Sequence, residues 1–123
     1  MSAQETSSLA LIVRSGPYEH RSARAEFDVA LAALVMDYRI EVYFLGAALL
    51  QLLAERDVSP ALLPAAYRAW ASLPDLGDVS FFAEVACLDR YPESQFRWLL
   101  PVHGMQAEQM QEGWRRCNYS IVL

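Results

Sequence analysis

The apolar positions of this chain fall into two kinds of stretch: short unbroken runs, and longer segments with helical spacing. Residues 9–13, LALIV, are apolar without interruption and stop at SGPY, the pattern of a strand buried on both faces. From residue 23 to 36 the apolar positions Phe27, Ala30, Leu31, Leu34 and Val35 recur at i, i+3, i+4, i+7 and i+8. This predicts an amphipathic helix with Ser22 as N-cap, and with Arg24, Glu26 and Asp28 mostly on other faces. IEVYFL, 40–45, is β-branched and aromatic and predicts a second strand.

After Gly46, the stretch to residue 54 reads as a short helix with more apolar residues than one stripe needs, and 62–73 resumes helical spacing until PDLGD ends it. Residues 79–82 predict a third strand, 83–91 a short helix and 96–100 a fourth strand. A last helix over 106–116 and a closing strand over 120–123 complete the order. Strands alternating with helices predict an α/β three-layer sandwich, with a five-stranded, mainly parallel sheet and helices on both faces. The polar residues 1–8 read as a flexible tail and 9–123 as one domain. Sheets of this kind carry their sites beyond the carboxyl ends of the strands, here 14–21, 45–47 and 83–87.

Composition narrows the chemistry. The 123 residues are 54% hydrophobic and 20% charged, those of an ordinary globular domain. A formal charge of −5 disfavours a dedicated nucleic-acid binder, because phosphates would be repelled. All ten basic residues are arginine, which removes Schiff-base and Walker lysines as mechanisms. The start lacks a basic n-region and no apolar run reaches the roughly 18 residues of a membrane span, so a cytoplasmic protein is expected.

Motifs for cofactors are missing. His20 and His103 lie in separate predicted loops with no carboxylate pair beside either, which argues against a metal. The loop RSGPYEHRSAR lacks the glycines of a phosphate cradle, so no cofactor is expected, although Arg14, Arg21 and Arg24 near a helix start could hold an anion. Glu108 and Glu112 stand at i, i+4 as a solvated helix face does, and no GxSxG elbow singles out a serine.

Two cysteines remain, in neither CxxC nor zinc spacing. Cys87 falls about one turn inside the helix predicted from residue 83, where help from the helix dipole fades. Glu84, three residues earlier, would raise its pKa and Arg90, three later, would lower it. A packed, inert thiol is the expectation. Cys117 follows Arg115 and Arg116 and leads straight into the last strand, so it reads as structural.

Three stretches, SARAEFDVAL (22–31), IEVYFLGAALLQLL (40–53) and NYSIVL (118–123), taken in order and at their spacing, resemble the DsrE/DsrF superfamily, and within it the TusC/DsrF subunit of bacterial sulfur-relay complexes. The resemblance spans nearly the whole chain. It implies a hetero-oligomer with TusB-like and TusD-like subunits that passes persulfide sulfur toward 2-thiouridine in the tRNA wobble position. In that family the sulfur rides on a cysteine just after the third strand of the TusD-type chain. Aligned through FFAEVACLDR, that position is Glu84 here, and a carboxylate cannot form a persulfide. Relatives often hold an acidic DG at the turn where this chain has LGA.

The resemblance therefore implies a non-carrier structural subunit without independent activity. The apolar excess at Leu49, Leu50, Leu52 and Leu53 is then expected to form an interface. Two other readings are a sulfurtransferase with Cys87 as the persulfide carrier, and a homo-oligomeric small-molecule binding module using Arg14, Arg21 and Arg24.

Overall fold

The computed structural model describes residues 7–14, 22–52, 70–91 and 101–123. Five strands, β1 (Ser8–Val13), β2 (Arg39–Phe44), β3 (Val79–Glu84), β4 (His103–Met105) and β5 (Tyr119–Val122), form one sheet in the order β4-β3-β2-β1-β5. Every pairing is parallel. The helices are α1 (Ser22–Val35), α2 (Val85–Arg90) and α3 (Ala107–Arg116), with 3-10 segments at Gly46–Leu52 and Trp70–Asp75.

The strand order fixes the layers. The connections from β1 to β4 all step in one direction, and right-handed crossovers put them on one face of the sheet. The connection from β4 to β5 returns across the sheet, so α3 lies on the opposite face. Side-chain alternation agrees: Leu9, Leu11, Val13, Ile40, Val42, Phe44, Phe81 and Ala83 enter the main core with α1, the 3-10 segments and Cys87. Ala10 and Tyr43 pack with Met110 on the α3 face, flanked by Phe82, Met105 and Trp114.

Trp70 is the hub of the main core. Its indole meets Phe27, Phe44 and Phe81 edge-on, at centroid distances of 5.7, 5.3 and 6.3 Å, a geometry that aligns ring edges with ring faces. On the thinner face, α3 presents Met110, Gly113 and Trp114 at i, i+3 and i+4. Gln106 and Gln109 form a capping box at its start, the Gln106 N–H donating to Gln109 Oε1 at 2.9 Å. Gly113 is where the helix lies closest to the sheet: a Cβ there would collide with the Tyr43 hydroxyl and stand 3.1 Å from Cζ.

Several predicted elements shift. β3 runs through Glu84, two residues beyond its predicted end, because Ala83 still pairs with Phe44 and Glu84 with Met105. The fourth strand is His103–Met105; the predicted 96–100 lies outside the described residues. HGM carries no strand signal, but Gly104 is needed there, since a Cβ would come within 3.0 Å of Leu88 and 3.2 Å of Val85 on α2. The stretch after Gly46 is a 3-10 helix over its described part, and the helix predicted over 62–73 is described only from Trp70, as a 3-10 segment containing Pro74. β1 begins at Ser8, inside the stretch read as a tail, and β5 begins one residue early at Tyr119.

Two burial expectations are corrected. Leu49 and Leu52 are fully buried in the main core, so their side chains are used within the subunit rather than at an interface. The apolar excess of that segment was filling a core also reached from α1 and from Trp70. Glu26 is 2% exposed, because i, i+4, i+7 spacing puts it in one row with the buried Ala30 and Ala33.

Two substitutions test this packing. Trp70→Ala is expected to lower stability by roughly 3–5 kcal/mol in denaturant unfolding. Gly113→Ala, which on an open helix would stabilise by about 1 kcal/mol, is expected to destabilise here, and Tyr43→Phe in the same chain is expected to restore most of the loss.

Candidate functional site

The register aligns a row of residues along the carboxyl edge of the sheet. Val13 pairs with Phe44 and Phe44 with Ala83, so Arg14, Leu45 and Glu84 follow one another across three strands, with Met105 beside Glu84. At about 4.8 Å per strand, Arg14 and Glu84 stand roughly 10 Å apart along the backbone. Arg14 is exposed, and its Nε donates to the carbonyl of Leu123 at 3.5 Å. Leu45 donates its N–H to Val13 O at 2.9 Å and accepts from Ala48 at 3.1 Å. Between these bonds Gly46 turns at φ 57°, a conformation that favours glycine.

Glu84 closes β3 in extended conformation and is also the N-cap of α2, its side chain making no capping hydrogen bond. α2 therefore starts two residues later than predicted, and Cys87 is its third residue instead of lying a full turn inside. The thiol is nevertheless 9% exposed and belongs to the main core. Pleat alternation puts Glu84 with Phe82 on the α3 side of the sheet, away from the layer that holds Cys87. The one-turn spacing of these residues in sequence thus corresponds to opposite faces of the sheet.

Of the predicted anion-binding arginines, Arg14 is described; Arg21 lies outside the described residues, and so does the side chain of Arg24. Leu53 and the side chain of Leu50 are likewise outside them. His103, predicted in a loop, sits on β4 with its ring 5.8 Å from Phe82.

A polar cluster on the α3 face went unnoticed in the sequence. Tyr43, fully buried, donates its hydroxyl to Glu41 Oε1 at 2.6 Å, stacks on Phe82 at 5.0 Å and meets Trp114 edge-on at 5.4 Å. Arg39 approaches Glu41 at 3.6 Å. The only hint was period-2 spacing of Arg39, Glu41 and Tyr43 within a strand whose alternate residues are apolar. Cys117 lies beside this cluster, its thiol donating to Gly113 O at 3.6 Å. Asn118 ties β5 to β1: Ser8 N–H donates to its Oδ1 at 2.8 Å, and its own N–H donates to Ser8 Oγ at 3.1 Å.

Burial, and then the Glu41 carboxylate, push the Cys117 thiol above its ordinary pKa. Burial also drives Tyr43 far above the ordinary tyrosine range, with the Glu41 hydrogen bond and charge adding to it. Both groups are held neutral at physiological pH.

A model of the DsrE/DsrF-like family matches residues 7–121. The chain belongs to the DsrE/DsrF-like family. The crystal structure of the YchN protein from E. coli superposes with a TM-score of 0.78 at 10% identity, over 96% of this chain and 100% of that one, and so shares the fold. The search of curated proteins found no match. Among the described residues, no helix is long and apolar enough to cross a membrane.

Two measurements follow from the geometry. In native protein a thiol reagent is expected to label Cys117 slowly, faster as pH rises, and to reach Cys87 only on unfolding; Cys117→Ser should then abolish native labelling. In alkaline spectrophotometric titration, Tyr43→Phe should lower the amplitude of the unfolded chain by one tyrosine and leave that of the folded chain unchanged. Because the folded value is raised, the stability from this group is complete below about pH 10 and is lost as pH climbs above it.

Proposed function

We propose that this chain is a non-carrier subunit of a sulfur-relay complex of the TusBCD/DsrEFH type, supporting persulfide transfer toward tRNA wobble-uridine thiolation beside TusB-like and TusD-like partners. The observation that carries this reading is Glu84. It occupies the junction between the third strand and the following helix, the place where carrier chains resembling this one hold their cysteine. A carboxylate there cannot accept sulfane sulfur. Cys87 does not compensate, since its sulfur is packed in the main core on the other side of the sheet.

The subunit's contribution is then a matched surface at the carboxyl edge, where Arg14, Leu45 and Glu84 stand in line. A carrier reading for Cys87 has one point in its favour, its position in the first turn of α2, and burial weighs against it.

Incubation with a low-molecular-weight persulfide donor, followed by mass spectrometry, separates the two. The wild-type chain is expected to gain no sulfur on Cys87, whereas Glu84→Cys should acquire one cyanide-labile sulfur at the new thiol. Stoichiometric sulfur on Cys87 of the wild-type chain would overturn the proposal. Co-expression with TusB-like and TusD-like chains should yield a joint complex, and a chain that ignores both would count against it.

A further inference from the structure

β5 is an edge strand with every one of its four residues exposed. Leu123 N–H donates to Ile12 O at 2.9 Å, so by the alternation of a parallel ladder the odd residues of this strand bond inward. The N–H and C=O groups of Ser120 and Val122 therefore point away from the sheet. Edges of this kind are normally blunted by charge, proline, a bulge or shortness. YSIV carries no charge and no proline, and its pairing with β1 is continuous in register. The opposite edge, β4, has only three residues.

We propose that two copies of this chain pair antiparallel through β5, around a two-fold axis at Ile121, so that the sheet continues from one subunit into the next. The inference is independent of the sulfur-relay reading, as it concerns only this chain. Centring on Ile121 sets Ser120 opposite the partner's Val122 and Val122 opposite the partner's Ser120. Both are hydrogen-bonded pairs, and they satisfy all four outward groups on each strand without a register shift. Ile121 meets its own copy in the close pair between them. Tyr119, Ile121 and Leu123, which share the α1 side of the sheet, then form one apolar row across the seam, Tyr119 of each copy beside Leu123 of the other.

The exposed surface is of the size a dimer requires. Tyr119, Ile121 and Val122 are 57, 39 and 54% exposed, and Val35 and Met36 at the end of α1 are 76 and 69% exposed. Tyr38 links the two groups, its ring 6.0 Å from that of Tyr119. At roughly 150–200 Å² for a whole side chain, these five leave on the order of 500 Å² of apolar surface open. A standard interface buries about 800 Å² per partner, of which about 60% is apolar. A self-complementary patch that meets this figure fits a second copy of the same surface.

The test uses the full chain. Sedimentation across micromolar concentrations should show a monomer–dimer equilibrium, and hydrogen exchange should show the Ser120 and Val122 amides becoming protected as the dimer forms, with Ile121 and Leu123 protected throughout. Val122→Pro removes only an outward N–H and should give a folded monomer. Ile121→Cys, in a Cys117→Ser background, should form a disulfide-linked dimer under mild oxidation, since the facing Cα atoms would lie about 4.5 Å apart. A chain that stays monomeric with unprotected Ser120 and Val122 amides would overturn the proposal, and so would a dimer that survives Val122→Pro.

Discussion

Among the described residues, one ten-residue helix covers the second face of a five-stranded sheet, and much of this molecule follows from that mismatch. The main face is shared by α1, two 3-10 segments and α2, which together bury a thick aromatic and aliphatic core around Trp70. Among the described residues, the other face has α3 alone. For so short a helix to seal the sheet centre it must come close. Gly113 permits that approach, and the Tyr43 ring fills the space beneath, between Phe82 and Trp114. The Tyr43 hydroxyl is then buried and needs an acceptor, which Glu41 supplies from the same strand.

The same shortage of cover shapes the edges. α3 reaches β1, β3 and β5, but the β5 side chains stay open on both faces of the sheet. Asn118 holds this strand in register by bonding Ser8 through both backbone and side chain, so the exposed strand is fixed in place. An edge that is ordered, uncharged and apolar is suited to pairing, whereas a frayed one would lose much of its binding energy to ordering.

Among the described residues of the carboxyl edge the chemistry is sparse and the geometry is firm. Glu84 serves as both strand end and helix cap, and the residues after it turn into the main core. The side chain at this junction is a carboxylate, which makes no capping hydrogen bond and cannot itself carry sulfur. The Cys87 thiol, three residues on in the helix that Glu84 caps, lies in the main core on the other face of the sheet.

The sequence by itself determined the class of fold, because unbroken apolar runs alternating with helical spacing leave few arrangements other than a parallel sheet with helices on both sides. α1, β2 and α3 were legible almost to the residue for that reason, whereas the pattern put Glu84 inside the short helix and only the resemblance aligned through FFAEVACLDR put it at the junction. The tertiary structure alone decided which apolar residues were core. Leu49 and Leu52 look like surplus until Trp70 and α1 are seen closing over them, and Glu26 looks solvated until its row on α1 is seen to face inward. β4 was illegible, since three residues paired to β3 need little propensity of their own once α2 demands a glycine beside it. The Tyr43–Glu41–Cys117 cluster is assembled from β2 and the end of α3, more than seventy residues apart, and local pattern holds no record of contacts made across such a distance.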